Sequence, residues 1–292
     1  MDRLRSALSA IGAVLTGAGV LILLFVAYQL WGTSLYTSRQ QGDLKARFRT
    51  VATSTTTAPQ PAPPPPPTGE AVAVIRIPKI GVDQAVVPGV GVADLRKGPG
   101  HYPQTPLPGE PGNAAIAGHR TTYGAPFNRL DELEAGDEIE VATVAGSFVY
   151  RVEEKKVVKP TEVSVLDPTP DPHLTLTTCH PKYSAAQRLV VVSRLAPGQK
   201  AAHPLATTTT TTAPLGGKKT PPPTLADAGL SSDRSKLTTV WWGLGTALVG
   251  IAWWVAVRRR RHWTTYVAGA LPFLVVLFFF YAHLERLLPA NY

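Results

Sequence analysis

The segment "HLTLTTCHPKYSAAQRLVVVSRL" (173–195) contains two β-type runs joined by a short polar connection, and it holds the only cysteine among 292 residues. "HLTLTTC" (173–179) begins with alternating polar and apolar side chains, and "RLVVVSRL" (188–195) is rich in β-branched residues. Both segments therefore predict strands. A single cysteine cannot form a disulfide within the chain. Cys179 is therefore either a small buried side chain or a nucleophile, and Arg188 heads the strand that we expect to pair with it.

Further runs of the same kind lie upstream and predict an all-β domain. Several short β-type segments punctuated by Gly, Pro and Asp are typical of a barrel or a sandwich. "APFNRLDELEAG" (125–136) is the clearest helix-like interruption. The other predicted strands are "AVAVIRIPKIGV" (71–82), "DQAVVPGV" (83–90), "NAAIAGH" (113–119), and a hairpin of "DEIEVAT" (137–143) with "GSFVYRVEEKKVVK" (146–159).

Three apolar runs are long enough to cross a bilayer, because a hydrocarbon core of ~30 Å needs about 20 helical residues. The first is Leu8–Trp31. A cleaved signal peptide is the alternative there, but the run exceeds the ~7–15 residues of a signal-peptide core, so we expect an uncleaved anchor. Leu237–Val257 and Trp263–His283 predict a transmembrane hairpin whose tip is Arg258–Arg261.

The basic residues near these runs give conflicting signals about orientation. Arg3 and Arg5 precede the first run, whereas four basic residues between positions 39 and 49 follow it. Short loops count most in the positive-inside rule. We therefore place the tetra-arginine loop and the N-terminus in the cytoplasm and residues 37–236 outside. This predicts a multi-pass protein of the plasma membrane with an extracellular domain.

Proline and threonine tracts bound the folded part. "APQPAPPPPPTG" (58–69) predicts a semi-rigid polyproline II segment, and "ATTTTTTAPLGGKKTPPPT" (206–224) cannot bury a core. The predicted organisation is a cytoplasmic tip and transmembrane helix at 1–36, a Pro-rich linker at 37–70, the folded domain at 71–200, a Thr/Pro-rich linker at 201–236, a transmembrane helix at 237–257, a basic loop at 258–262, a transmembrane helix at 263–283, and a tail at 284–292.

The excess of positive charge lies outside the folded domain. The chain has a formal net charge of +9, whereas residues 71–200 contain fourteen Lys or Arg and fourteen Asp or Glu. A nucleic-acid-binding domain would carry its positive charge on the folded part. The charge pattern therefore argues against a nucleic-acid partner and suits the flanks of membrane helices.

A catalytic cysteine needs a base or a cation nearby, because the thiolate is the reactive form of the side chain. His180 follows Cys179 directly, so a continuing strand turns it to the opposite face, and His173 lies six residues away along the same strand. His119 ends a strand beside a polar turn, where functional side chains often lie, although a histidine there is also commonly structural. The candidates in the domain are His101, His119, His173 and His180.

Two blocks of the sequence resemble the sortases, which are membrane-anchored cysteine transpeptidases, and most of all their actinobacterial class E group. The blocks are residues 98–141, with a GHR-T-x-Y-GAPF pattern, and residues 174–195, with a TLTTC-x-P…R pattern. The resemblance implies an eight-stranded β-barrel with short helices over about residues 71–196. It also implies that His119, Cys179 and Arg188 are the catalytic residues, with no cofactor and no metal.

The resemblance further implies a reaction and its partners. Cys179 would attack the Thr–Gly carbonyl of an LPxTG- or LAxTG-like sorting signal on a surface protein. His119 would protonate the leaving amine, and Arg188 would hold the substrate and stabilise the oxyanion. An amine of a peptidoglycan precursor would then resolve the thioacyl enzyme. Residues 158–173 occupy the place of the loop that helps to shape the substrate groove in sortases.

Two alternatives and one departure from the family pattern remain. A cell-wall L,D-transpeptidase is also a Cys/His enzyme, but Thr178 stands where its Gly-Cys-Arg context requires glycine. A non-catalytic wall-spanning protein could retain the same barrel. His180 stands where relatives often have a smaller residue, and its role is open. Calcium is not indicated, since the acidic residues between positions 131 and 140 are interpreted as a solvated helix and strand edge.

Overall fold

The computed structural model describes residues 2–55, 70–199, 236–259 and 263–284. These residues form two compact units: one contains the residues up to Gly32 and the last two helices, and the other begins at Thr33 and contains the β-rich domain. Four predicted segments lie outside the described residues. They are the proline tract at 58–69, nearly all of the Thr/Pro-rich linker at 201–236, the end of the basic loop at 260–262, and the tail from 285.

The β-rich unit is a closed eight-stranded barrel, which confirms the predicted fold class. The strands follow the order β1-β2-β3-β4-β7-β8-β6-β5 around the barrel. The β2–β3 and β4–β7 pairs are parallel, and every other pair is antiparallel. The strands are β1 Ala73–Ile77, β2 Val82–Pro88, β3 Gly100–His101, β4 Asn113–Ala117, β5 Glu138–Thr143, β6 Gly146–Val158, β7 His173–His180 and β8 Gln187–Leu195.

Alternating apolar side chains fill the barrel. In β1, Ile75 and Ile77 are fully buried, whereas Arg76 between them is exposed. This is the period-2 pattern of a strand with one face toward a core. The helix-like interruption at 125–136 contains a single 3₁₀ turn, Leu130–Glu132, and its apolar side chains join the same core. Short helical turns also occur at Pro78–Ile80, α3 Val92–Leu95 and Ser164–Leu166.

Strand β4 is buried on both faces, which explains its small residues. Ala114 and Ile116 belong to the barrel core, whereas Ala115 and Ala117 belong to a second apolar cluster on the outer face. Alternation is absent from the sequence of β4 because neither face meets solvent. The outer cluster is completed by Val90, Leu95, Tyr102, Val165 and Val190.

The predicted linker at 37–70 needs a correction, because its first part is helical. Helix α1 (Asp2–Ala27) is followed by a π-helical turn (Tyr28–Gly32) and then by α2 (Thr33–Thr55). Leu44 and Phe48 of α2 are buried against Ala71, Ala85 and Val87 of the barrel unit. Spacer composition was expected across this range, yet α2 buries one face on the barrel and is part of the folded domain.

Among the described residues, three helical stretches are long and apolar enough to cross a membrane, and the first extends from the other unit into α2. The candidate spans are Leu15–Ala52, Thr238–Arg259 and Thr264–Leu284. The first of these runs beyond the predicted Leu8–Trp31 because the helix continues into α2 without a break. The last two lie within α4 (Lys236–Arg259) and α5 (Trp263–Leu284), close to the predicted bounds of the hairpin.

Candidate active site

Cys179 lies near the end of β7, directly opposite Arg188 of β8. The two residues are Cα partners in the antiparallel ladder, so their side chains project from the same face of the sheet. Thr177 and Val190, the next pair on that face, belong to the buried outer surface of the barrel. Cys179 is itself partly buried and is a free thiol.

The Arg188 side chain is 8% exposed and is held at the β7–β8 connection. Its Nη1 donates hydrogen bonds to the carbonyl oxygens of Ala185 at 2.8 Å and Gln187 at 3.0 Å. These two bonds fix the guanidinium beside the strand end that carries Cys179. A fixed guanidinium is a planar donor for an oxyanion or a peptide carbonyl, and Arg188 is not the solvated edge residue that its position in the sequence suggests.

The parallel pairing of β4 with β7 brings His119 level with Cys179. Ala117 is the Cα partner of Thr177. The Gly118 N–H donates to the Thr177 carbonyl at 3.1 Å, and the Thr178 hydroxyl donates to the Gly118 carbonyl at 2.8 Å. The ladder ends at the Ala117–Thr177 pair, two residues before His119 and Cys179. Arg120, the residue after His119, donates a hydrogen bond to the Cys179 carbonyl, so the backbone at His119 lies at the same end of β7 as Cys179 and Arg188.

His119 is held in a desolvated position. Its ring lies 5.1 Å from the ring of Tyr123, measured between centroids, and its Nε2 is buried without a hydrogen-bond partner among the described residues. Burial, with a contribution from the nearby charge of Arg96, lowers the pKa of His119 to about 4. At neutral pH this imidazole is therefore neutral in the resting protein.

Burial also controls the thiol. It raises the pKa of Cys179 above its ordinary value, and the positive charges of Arg188 and Arg120 oppose that rise. At neutral pH the resting state thus contains a thiol and a neutral imidazole, and the ion pair between them is a minor form. The two arginines are the groups that make the thiolate accessible at all.

Arg120 is a site residue that the sequence analysis missed. It is 3% exposed, and its Nη1 donates to the carbonyl oxygen of Cys179 at 3.0 Å. Its Nη2 lies 3.0 Å from Oδ1 of Asp131, a residue that was interpreted as part of a solvated edge. The available signal was its place directly after His119, inside the GHR pattern.

The same arginine gives His180 a structural partner. Arg120 Nη1 lies 3.0 Å from Nδ1 of His180. Because arginine is always a donor, Nδ1 of His180 is the acceptor and its proton is on Nε2. His180 therefore braces the buried guanidinium from the face of β7 opposite Cys179.

The other two candidate histidines lie away from this end of the barrel. Nε2 of His101 is 2.8 Å from the carbonyl of Pro106, and burial lowers the pKa of His101. His173 lies at the opposite end of β7, with Nε2 3.5 Å from Glu153. Both are explained by local structure and neither contributes to the Cys179 site.

The loop between β6 and β7 covers the outer face beside the site. Asn113 donates from Nδ2 to the carbonyls of Val165 at 3.0 Å and Asp167 at 3.1 Å. The Thr175 hydroxyl donates to Oδ1 of the same asparagine at 2.7 Å. Asn113 thus ties the loop to β4 and β7, and Val165 packs in the outer apolar cluster next to Tyr102.

Comparisons with known proteins show which proteins this chain is similar to. The family model of the sortase domain matches residues 75–196. Sortase SrtE1 of Streptomyces coelicolor is 34% identical over 202 residues, covering 64% of this chain and 56% of the relative. Sortase D of Bacillus subtilis is 36% identical over 115 residues, covering 39% of this chain and 57% of the relative. A solved structure of sortase E1 from Streptomyces coelicolor, with a tripeptide in its active site, is 34% identical in sequence. The match covers 43% of this chain and 88% of that chain, with a TM-score of 0.41.

A closed barrel with a thiol, an arginine and a histidine at one strand end defines a candidate cysteine-enzyme domain. The chain belongs to the sortase family, and its relatives include the class E-type sortases SrtE1 and SrtE2 of Streptomyces coelicolor. It spans somewhat more than half the length of the two curated relatives above, 56% and 57%.

Proposed function

We propose that the protein is a cysteine transpeptidase that cleaves an LPxTG- or LAxTG-like sorting signal between Thr and Gly and transfers the new carboxyl end to an amine. One observation carries the proposal. The ladder pairs Cys179 with Arg188 across β7 and β8. The parallel register of β4 with β7, which ends two residues before His119 and Cys179, supports a position of His119 next to them. A nucleophile, a cationic clamp and a proton carrier then converge on one point.

The first half-reaction begins when the Cys179 thiol transfers its proton to His119. The thiolate attacks the carbonyl carbon of the substrate threonine, and the C–S bond forms as the carbonyl electrons move to oxygen. Arg188 stabilises that oxyanion with N–H donors fixed beside the strand. The imidazolium of His119 gives its proton to the glycine nitrogen, the C–N bond breaks, and a thioester on Cys179 remains.

The second half-reaction uses an incoming amine. Its nitrogen attacks the thioester carbonyl and passes a proton to neutral His119. The C–S bond breaks, the thiolate of Cys179 recovers the proton from His119, and a new amide is released. The lowered pKa of His119 keeps its imidazole neutral between the two half-reactions, so that its free nitrogen can accept a proton from the thiol or from the amine.

We place this activity at the plasma membrane, with the barrel outside the cell. The support is the three apolar helices and the basic residues at the end of α4, which include Arg258 and Arg259. The partners would be surface proteins that end in sorting signals and an amine of a peptidoglycan precursor.

The activity is tested with the full chain in detergent, LAxTG and LPxTG peptides, and an amine acceptor. We expect a thioacyl adduct on Cys179, detected by intact-protein mass spectrometry, and an amide product that requires the acceptor. Cys179→Ala should form neither species. Equal turnover by Cys179→Ala, or no adduct with either peptide, would refute the proposal.

The orientation is tested separately with a cysteine placed in the basic loop. In a Cys179→Ala background, Arg260→Cys should resist a membrane-impermeant maleimide in intact cells and react after lysis. Labelling in intact cells would place the loop outside and reverse the proposed topology.

A further inference from the structure

Helix α2 carries a stripe of polar side chains that bonds to the barrel at each turn. The stripe consists of Thr33, Thr37, Gln41 and Lys45, spaced four residues apart so that they share one helix face. The first three residues are buried, with exposures of 1%, 2% and 6%. Each of the four side chains forms a hydrogen bond with a backbone group of the β-rich domain. Buried polar groups that all have hydrogen-bond partners hold α2 in one orientation on the barrel, which apolar packing alone would not do.

Gln41 acts as a substitute strand partner for β2. Its Oε1 accepts from the N–H of Ala85 at 2.6 Å, and its Nε2 donates to the Ala85 carbonyl at 2.9 Å. Strand β3 pairs only with Val87 and Pro88, so the edge of β2 at Ala85 is completed by this side-chain amide. A Cβ on Gly98 would overlap Gln41 Nε2, which shows how closely the chain approaches here.

The N-terminal end of the stripe, at Thr33, contacts the loop that follows His119. The Thr33 hydroxyl accepts a hydrogen bond from the backbone N–H of Tyr123 at 3.1 Å. The Thr37 hydroxyl donates to the Arg96 carbonyl at 2.9 Å. The Arg96 guanidinium lies over the Tyr123 ring at 5.6 Å, and that ring lies against His119. Two turns of α2 thus hold both neighbours that surround the imidazole.

We propose that α2 is a positioning element of the active site, which holds His119 through Tyr123 and Arg96. The proposal rests in part on the proposed function, because positioning matters only if His119 transfers protons. The charged and titratable groups that face His119 are Arg96 from the segment after α3 and Tyr123 from its own loop. Thr33 and Thr37 do not touch the reacting atoms.

The decisive variant is Thr33→Val in the full chain, because valine keeps the shape and removes the acceptor for a buried N–H. We expect kcat to fall about tenfold or more with KM within about twofold, since small displacements of a proton carrier cost rate rather than binding. The pKa of His119, followed by NMR of histidine-labelled protein, should rise from about 4 toward its ordinary value of 6.5. Thr33→Ser should restore both quantities.

Two further variants distinguish a role of α2 in positioning His119 from a role only in stabilising the fold. Thr37→Val should give a smaller change of the same sign, through the Arg96 carbonyl. Ser38→Ala is the matched control, because the exposed Ser38 hydroxyl bonds, within the described part of the chain, only to the Ser34 carbonyl of its own helix. It should leave kcat and the pKa of His119 unchanged.

Each result supports or overturns the proposal. If Thr33→Val lowers the melting temperature while the pKa of His119 and kcat stay at the Ser38→Ala level, α2 is only a brace and the proposal is wrong. If the wild-type chain shows no transpeptidation, the proposed function fails, yet the NMR titration still reports whether α2 positions His119. The two failures are therefore distinguishable.

Discussion

The two ends of strand β7 carry similar residue types in opposite electrostatic settings. At the His173 end, exposed cations face carboxylates: Arg194 is 2.7 Å from Asp171 and 3.8 Å from Glu153. At the Cys179 end, Arg188 and Arg120 are buried, at 8% and 3% exposure, and their first contacts include backbone carbonyls. Solvent screens the first set, whereas burial preserves the field of the second. One strand thus has an ordinary surface end and an end prepared for negative charge.

Each end of β7 pairs with one arginine of β8, and the largest expected effect on activity comes from replacing the arginine at the Cys179 end. Arg188→Lys should lower kcat/KM about 100-fold or more, because a point charge does not reproduce a fixed planar donor at the oxyanion. Arg194 is the matched control, since it is the Cα partner of His173 as Arg188 is of Cys179. Arg194→Lys should keep near-wild-type turnover in the peptide assay. Similar rates for both variants would remove the distinction between the ends.

A second expected effect is on the reactivity of Cys179 when the buried cation Arg120 is removed. Arg120→Met should raise the pKa of Cys179 further, because it removes one of the two charges that oppose the effect of burial. It also removes the donor to the Cys179 carbonyl. We expect iodoacetamide alkylation at pH 7 to slow about tenfold, corresponding to about one pKa unit.

Arg120→Lys is the matching control for charge. It should recover most of the alkylation rate but less of the transpeptidation rate, because lysine restores the charge without the forked contacts to His180 and Asp131. An unchanged alkylation profile in Arg120→Met would show that this guanidinium acts only in packing.

A third expected effect is a loss of stability in acid. The folded pKa of His119 is about 4, below the ordinary value of 6.5, so the unfolded chain binds this proton first as the pH falls. Its contribution is fully present above pH 6.5 and is lost between pH 6.5 and 4, about 3 kcal/mol at 1.36 kcal/mol per pH unit. His119→Gln should flatten this part of the profile in urea titrations. The lowered pKa of His101 adds a slope of the same sign, which remains in the variant.

The smallest expected effect belongs to the exposed end of β7. Arg194→Ala should lower the free energy of unfolding by about 1 kcal/mol or less, because exposed ion pairs contribute little. The loss should shrink further in high salt. A large, salt-independent loss would mean that this end is as desolvated as the other.

Much of the fold could be predicted from sequence. Runs of β-branched residues bounded by turn residues predict the β5–β6 hairpin and the β7–β8 pair. Helix α2 was missed because its buried face is largely polar, with Thr33, Thr37 and Gln41 where an amphipathic pattern expects apolar residues. Its partners are backbone groups, which leave no mark in the sequence.

The sequence pointed to candidate site residues but not to their energetics. Cys179, His119 and Arg188 were selected, and the structure pairs Cys179 with Arg188 at one strand end, whereas the catalytic role of the three residues stays a prediction. The burial that lowers the pKa of His119, and the insertion of Arg120 beneath Cys179, depend on contacts between strands and loops far apart in the chain. Spacing along the chain contains no information on desolvation.

The parallel pairing of β4 with β7 has a consequence for the order of folding. Strand β7 lies between β4 and β8, and its register with β4 joins residues about sixty positions apart. On a chain that emerges from its N-terminus, β1 to β6 are available before β7 exists, and long-range pairings form slowly. The thiol, the arginine and the histidine therefore meet only when the barrel closes with its last two strands. An incomplete domain lacks this arrangement, so barrel closure itself is the step that assembles the candidate site.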